Sequence, residues 1–445
     1  MAFAPGSVTA FRYEAVRFDP ATGIAEFDYA LMGPGVDERF TERLVFTVRE
    51  SPARDRLDRV LALLGAVLGL SYYKAAAPPR IEIAARGITP AAVRYLRLVI
   101  REGLAEFAYR VGLPGPLEPE IAVAELARPP ASVLRVEGTP LVPIGGGKDS
   151  VVTVESLAAV GLEPVQFAVQ PNEIVRRVAA ASGRPLVAVG RELDLLILRL
   201  NGEGALNGHV PVTAMNTLAG VVQSLLLGLG PVVMSNESSA SDPTLDWDGH
   251  PVNHQWSKSL EAERALSTAL RDHAGLEGAS FSFLRPFSEL RIARAYGRLE
   301  GYDEAIVSCN RAFRRRDATP GWCGECDKCR FVFLAFSPYL EPVRLVRMIG
   351  RDMFADSAQL PGYRTLVGLG AHKPFECVGE EAESSVAVTL ASRVPRWAET
   401  AVIQGLVQEA PAFAVGDPEV ERRVLGEGEA DPVPAHYEEA RRALL

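Results

Sequence analysis

The sequence predicts an α/β protein: a parallel sheet with helices on both faces, preceded by an α+β segment. Three observations lead there. From about residue 138, short apolar runs alternate with amphipathic stretches, the pattern of strands joined by crossover helices. Before that, three successive stretches alternate apolar and polar residues, as half-buried strands do. Between two apolar runs stand three glycines, in "PLVPIGGGKDSVVTVESL", where a strand turns sharply into a helix.

Taken in order, "VTAFRYEAVRFD", "IAEFDYAL" and "ERFTERLVFTV" are the expected strands. "RLDRVLALLGAVLGLSYYKAA" and "AAVRYLRLVIREGLAEFAYRV" carry helical periodicity. Proline and glycine in "GLPGPLEPEI" and "ELARPPASVL" mark a boundary. The expected division is an N-terminal α+β domain over 1–130, a nucleotide-binding domain over 131–345 and a C-terminal extension over 346–445. Within the second, "PLVPI", "EPVQFAVQP", "RPLVAVGRE" and "PVVMSNES" are strands. "KDSVVTVESLAAV", "NEIVRRVAAASG" and "PVTAMNTLAGVVQSLLLGLG" are the helices between them. Past residue 345 the pattern weakens, and the tail "GEGEADPVPAHYEEARRALL" reads as a surface appendage.

Composition excludes several classes. The chain has 445 residues, 48% apolar and 23% charged, ordinary for a soluble globular protein of two or three domains. No apolar run reaches the roughly 18 residues of a membrane span. The N-terminus lacks the basic-then-apolar order of a signal peptide, so a cytoplasmic location without a membrane partner is expected. A net charge of -9 argues against broad nucleic-acid binding, which needs a basic surface. Oligomeric state leaves no mark on the sequence.

Gly145, Gly146, Gly147, Lys148, Asp149 and Ser150 open the helix after "PLVPI". Free backbone N–H groups at a helix start favour a phosphate; Lys148 adds charge and Ser150 a hydroxyl. The spacing is neither G-x-x-x-x-G-K-[ST] nor G-x-G-x-x-G. It resembles the S-G-G-x-D-S loop of the PP-loop ATP pyrophosphatases, with Gly145 in place of the serine. That resemblance implies an adenine nucleotide alpha hydrolase-like fold that cleaves ATP between its α- and β-phosphates, the loop holding pyrophosphate. An ordinary turn capped by Asp149 or Ser150 is the plainer reading of the same residues.

Four of the five cysteines, Cys309, Cys323, Cys326 and Cys329, fall within 21 residues. Four soft thiolates make a closed tetrahedral site, structural for zinc, with an iron–sulfur cluster as the alternative. A similar C…CGxCxxC pattern holds zinc in the PP-loop enzyme that makes 7-cyano-7-deazaguanine. Arg311 and Arg314 lie in this loop, either as a solvated charge run or as contacts for substrate phosphates.

The polar stretch "SNESSASDPTLDWDGHPVNHQWSKSLEAERAL" follows an expected strand, at the carboxyl end where open α/β sheets place ligands. Asn236, Glu237, Ser238, Asn253, Gln255 and Ser257 read as substrate contacts there. A long solvated loop is the alternative.

GGGKDS, "SNESSAS", "HQWSKS", "SCNRAF", "WCGECDKC" and "HKPFECVGE" together resemble the MurL family of bacterial UDP-N-acetylmuramoyl-L-alanyl-L-glutamate epimerases, most strongly from about 140 to 385. The resemblance implies inversion of the terminal L-glutamate of a peptidoglycan nucleotide precursor. ATP is converted to AMP and diphosphate, and Mg²⁺ is required. The implied ligands are thus ATP, Mg²⁺ and a UDP-muramoyl dipeptide, with structural Zn²⁺ on the cysteines. The chemistry is coherent, because adenylating a carboxylate makes it a better electron sink and its α-proton easier to remove. Glu237 and Asp149, hard oxygen ligands, suit Mg²⁺. The base remains open among three candidates. His254 and Lys258, four apart, would share a helix face; Cys377 is the fifth thiol, with structural burial as its plainer reading. Rival functions are another AMP-forming PP-loop enzyme, such as an amide ligase or deazaguanine synthase, and a non-catalytic nucleotide-binding regulator.

Overall fold

Ten strands pair into one continuous sheet in a computed structural model that describes residues 3–50, 52–314, 321–370 and 375–445. The first half contributes β1 (Ala10–Asp19), β2 (Ile24–Gly33), β3 (Val36–Val45), β4 (Arg80–Ile83) and β5 (Glu120–Val123). The second contributes β6 (Leu141–Pro143), β7 (Val165–Val169), β8 (Leu186–Glu192), β9 (Val232–Met234) and β10 (Ser280–Ser282). Across the sheet the order is β10-β9-β6-β7-β8-β3-β2-β1-β4-β5. Strands β6 to β10 are mutually parallel. Strands β1 to β3 form an antiparallel meander, with β4 and β5 added parallel to β1. The expected mixed α/β class, with a large and mostly parallel sheet, is what the chain adopts.

The sheet runs straight across residue 130. Strand β3 pairs antiparallel with β8, setting Leu44 opposite Arg191. Arg191 Nε donates to the buried Glu42 carboxylate at 2.5 Å across this seam. Side-chain alternation sends neighbours to opposite faces. Leu141 therefore packs with the core of the N-terminal half, and Val142 with the core built by the C-terminal helices. Crossover helices follow the same division: Val212–Leu227 lies in the first core and Lys148–Ala158 in the second. The former stops at Gly228, whose φ of 64° is the left-handed turn that glycine adopts without a steric penalty.

Three elements differ from expectation. The helix over the stretch 56–76 is interrupted at Gly69, giving Arg54–Leu68 and then Leu70–Tyr73, and the one over 91–111 at Leu104, giving Pro90–Gly103 and then Ala105–Arg110. The tail is not a surface appendage: Ala435–Leu444 is a helix that buries Tyr437, Ala440 and Arg441. Arg441 donates to the carbonyls of Phe283 and Ser282 (2.8 and 3.2 Å). Those acceptors are main-chain atoms, which a residue pattern cannot reveal. No helix among the described residues is long and apolar enough to cross a membrane.

Candidate functional site

In the parallel half, strand order reverses between β6 and β9, so the loops leaving these two strands diverge to opposite faces and open a crevice. The loop after β6 is Gly145–Gly147, and the loop after β9 is the polar stretch that begins at Ser235. Ser235 Oγ donates to Thr153 Oγ1 (2.8 Å), tying the second loop to the helix that follows the first.

The glycine loop is shaped by need at two positions. Gly146 has φ 89°, and a Cβ on Gly147 would sit 2.6 Å from Ser308 Oγ. Gly145, where related loops carry serine, has open space around it. Gly147 caps the helix Lys148–Ala158 without any side-chain hydrogen bond. Ser150 Oγ donates instead to the Gly147 carbonyl (3.3 Å), and Asp149 is drawn to Lys148. The first-turn N–H groups thus have no side-chain acceptor and suit an anion.

Lys148 does not reach out of the loop. Its ammonium is buried between the carboxylates of Asp149 and Glu289. Lys328 Nζ meets the other oxygen of Glu289 at 3.3 Å. Against the cost of burial, these two ammoniums hold Glu289 ionised. Glu289 in turn is fixed by Glu383, which accepts its backbone N–H (2.9 Å). Glu237 is buried nearby, and burial with the neighbouring Glu289 charge pushes its carboxyl up. No described cation lies within ion-pair distance of it. A divalent cation shared by Glu237 and Asp149 would offset that repulsion, so the donor set fits Mg²⁺.

His254, Lys258 and Cys377 converge. They do so without the expected helix, for His254 lies ahead of a single 3-10 turn, Trp256–Lys258. Asn253 Oδ1 accepts from Gln255 N–H (2.7 Å) and bends the chain before that turn. Lys258 Nζ lies 3.5 Å from Cys377 Sγ and 3.1 Å from Gln255 Oε1. His254 hydrogen-bonds Cys377 on one side and Glu106 on the other, Nδ1 to Oε2 at 2.5 Å. Burial opposes the imidazolium, but Cys377 and Glu106 push its pKa up to about 9. Burial likewise opposes the thiolate, yet Lys258 and His254 bring Cys377 down to about 7.

Glu106 comes from the N-terminal half and was not foreseen. Close approach explains how it arrives: a Cβ on Gly208 would lie 2.9 Å from Phe107, which seats the segment carrying His209 against helix Ala105–Arg110. His209 Nδ1 is then 3.6 Å from Glu106 Oε2, and burial lowers its pKa to about 4. Around the opening, Tyr109 meets Trp247 (ring centroids 5.6 Å), and the Arg110 guanidinium lies 4.6 Å over the Phe375 ring.

The other expected contacts are distributed around this crevice. Asn236 donates to Ser282 Oγ (2.9 Å) and Asn253 to the Ala240 carbonyl (2.9 Å). Ser238 N–H donates to Phe287 O (3.0 Å), and Ser257 is half-buried beside Lys258. Arg311 is exposed and paired with Glu325 (2.8 Å). The side chain of Arg314, and Arg315 and Arg316, lie outside the described residues, as do His372 and Lys373.

The four thiols of Cys309, Cys323, Cys326 and Cys329 place their sulfurs within 4.8 Å of one another, and none forms a disulfide. Hydrogen bonding to Cys309 pushes the Cys326 thiol up to about 12, so four thiolates coexist here only around a cation. Backbone N–H groups of Glu325 and Cys326 aim at Cys323 Sγ (both 3.4 Å). This donor set fits a closed tetrahedral metal such as zinc. Its position is structural: Val307 N–H bonds the Gly146 carbonyl (2.9 Å), and Lys328 N–H bonds Glu376 (3.2 Å), next to Cys377. The cysteine loop therefore braces both the glycine loop and the thiol.

Comparison with known proteins adds the family. Residues 2–283 match the MurL N-terminal domain and residues 305–421 the MurL C-terminal domain. The chain is 49% identical over 411 residues to the UDP-N-acetyl-alpha-D-muramoyl-L-alanyl-L-glutamate epimerase of Salinispora tropica, covering 91% of this chain and 90% of that one. Identity with the enzyme of that name from Xanthomonas oryzae pv. oryzae is 37%, covering 99% and 98%. A 7-cyano-7-deazaguanine synthase of Myxococcus xanthus is 29% identical over 208 residues, 42% of this chain and 87% of that one. No solved structure matches the chain.

Proposed function

The chain belongs to the MurL family, and from that premise we propose that it inverts the terminal L-glutamate of UDP-N-acetylmuramoyl-L-alanyl-L-glutamate, converting ATP to AMP and diphosphate. The observation that carries the reading is the convergence on one crevice of an anion-ready glycine loop and a half-buried thiol–ammonium–imidazole cluster. Relatives named as epimerases of this dipeptide supply the substrate.

In this reading the first-turn N–H groups after Gly147 hold phosphate oxygens, in the manner of a PP-loop. Asp149 and Glu237 would hold Mg²⁺, which offsets phosphate charge. Lys148 keeps the loop in shape through Glu289 rather than touching ATP. Transfer of AMP to the glutamate carboxylate gives an acyl-adenylate whose carbonyl accepts the electron pair released when the α-proton leaves. The cluster of His254, Lys258 and Cys377 manages that proton. Reprotonation on the opposite face inverts the centre, and water releases AMP. Cys309, Cys323, Cys326 and Cys329 would hold zinc, which would brace the loop joined to both the glycine loop and Cys377.

The test is incubation of the purified protein with ATP, Mg²⁺ and UDP-MurNAc-L-Ala-L-Glu in D₂O, followed by hydrolysis and chiral analysis of glutamate. AMP together with α-deuterated D-glutamate is the expected result. AMP without D-glutamate would redirect the reading to an amide ligase or another AMP-forming enzyme. Neither product from a folded, metal-loaded protein would sink it.

A further inference from the structure

We propose that Cys377 is the catalytic base that takes the α-proton, and that Glu106 is a positioning residue acting on it through His254. The assignment rests on the epimerase reading and deepens it.

The geometry separates the three candidates. Lys258 Nζ is in hydrogen-bond contact with Cys377 Sγ (3.5 Å), and His254 also bonds that sulfur. Groups in contact with each other approach a tetrahedral carbon from the same side, so Lys258 and Cys377 do not form an opposed pair of bases. Among the three, Lys258 and His254 are both cations in this setting. Burial opposes their charge, but Cys377 and Glu237 hold Lys258 protonated, and Cys377 and Glu106 hold His254 so. A protonated amine or imidazole has no lone pair to offer. Cys377, flanked by two cations, is the member with an available pair.

Glu106 supplies the asymmetry. Its Oε2 is 2.5 Å from His254 Nδ1, and its Oε1 is 2.8 Å from Arg110 Nε. Despite burial, the hydrogen bond from His254 and the nearby cations keep the carboxyl low. His209, packed 4.9 Å ring to ring against His254, is half-buried with its pKa lowered to about 4 by desolvation and adds no competing charge. Lys328 faces the thiol from the cysteine loop as a further cation. Removing Glu106 would leave His254 beside Lys258 and Lys328 with no carboxylate, and the imidazole would lose its proton first.

The step balances. The Cys377 thiolate takes the proton, the C–H bond breaks and an S–H bond forms, and the electron pair passes into the activated carbonyl as an enolate. Water on the opposite face donates the proton that completes inversion, and the thiol returns its own proton to the hydroxide so formed.

The experiment uses the full chain with ATP, Mg²⁺ and UDP-MurNAc-L-Ala-L-Glu in D₂O, reading AMP and α-deuterium separately. For Cys377→Ser, deuterium formed per AMP falls by at least about 100-fold, the scale of lost general-base catalysis. For Glu106→Gln the same ratio falls by about 10-fold, with partial recovery in Glu106→Asp. The pH at which Cys377 becomes half-reactive to iodoacetamide, followed by peptide mass analysis, moves up from about 7 in Glu106→Gln. A merely structural carboxylate would leave that midpoint in place. Should Cys377→Ser misfold, wild-type alkylation still decides: epimerisation must fall in proportion to labelling at Cys377, and substrate must slow the labelling. Undiminished deuteration in Cys377→Ser overturns the base assignment. An unmoved alkylation midpoint in Glu106→Gln overturns the role of Glu106. A wild-type protein that makes neither product refutes the underlying epimerase reading, while the alkylation midpoint tests the coupling of Glu106 to Cys377 independently of that reading.

Discussion

Lys258 and Cys377 are 119 residues apart in sequence, yet Nζ and Sγ lie 3.5 Å apart, within hydrogen-bond reach. The ammonium favours the charged form of the half-buried Cys377 thiol, lowering its pKa against the cost of desolvation, and so bears on how the protein responds to pH.

Epimerisation rises as pH climbs through about 7, where Cys377 ionises. The sign follows from the role: a base with a depressed pKa is deprotonated, and active, above that pKa. Lys258→Met removes the ammonium in contact with the thiol and moves the rising limb up by about 1–3 pH units. Initial rates of α-deuteration across the pH range check the rising limb and its shift.

The glycine loop separates two positions that look alike in sequence. Gly147→Ala forces a methyl to within 2.6 Å of Ser308 Oγ. AMP release is expected to fall by about 100-fold, the scale of a displaced reactant. Gly145→Ser meets open space and leaves the melting temperature unchanged. Coupled AMP assays and calorimetry read the two.

The cysteine cluster is expected to hold about one zinc per chain, by elemental analysis. In the native protein Cys377 then reacts with a thiol reagent while the other four of the five cysteines are protected. Chelation under mild denaturant frees all of them. Cys309→Ser lowers the melting temperature and weakens AMP release, because its neighbour Val307 is bonded to the Gly146 carbonyl.

Arg285 is buried at 1% exposure and donates to the Glu237 carbonyl (2.7 Å), the Lys258 carbonyl and Glu263 (2.9 Å). Arg285→Met leaves Glu263 uncompensated and costs about 3–5 kcal/mol in urea unfolding, as breaking a buried pair does. Arg285→Lys keeps the charge without the fork and falls between the two.

Local signals made much of this legible. Strands β6 to β9 and the helices between them announce themselves through period and punctuation, and the glycine loop and cysteine spacing through composition. His254, Lys258 and Cys377 could be named because each is a chemically capable residue in a polar or isolated setting. Their meeting could not be read, since it depends on a 3-10 turn and a cysteine 119 positions away. Glu106 looks like any polar residue on an amphipathic helix; its function comes from Gly208 allowing close packing against Phe107. Glu289 follows the helix cap Ser288 and reads as an ordinary first-turn acid. Its partners Lys148 and Lys328 are 141 and 39 residues away.

The seam between β3 and β8 has a bearing on how such a protein can be taken apart. A chain cut near residue 130 would leave β8 with a bare row of hydrogen-bonding groups and a buried-type arginine facing solvent, an invitation to sticky self-association. It would also leave His254 without its carboxylate. Dissection by proteolysis or gene truncation is therefore a poor way to apportion work between the halves, and point substitutions on either side of the seam are the informative ones.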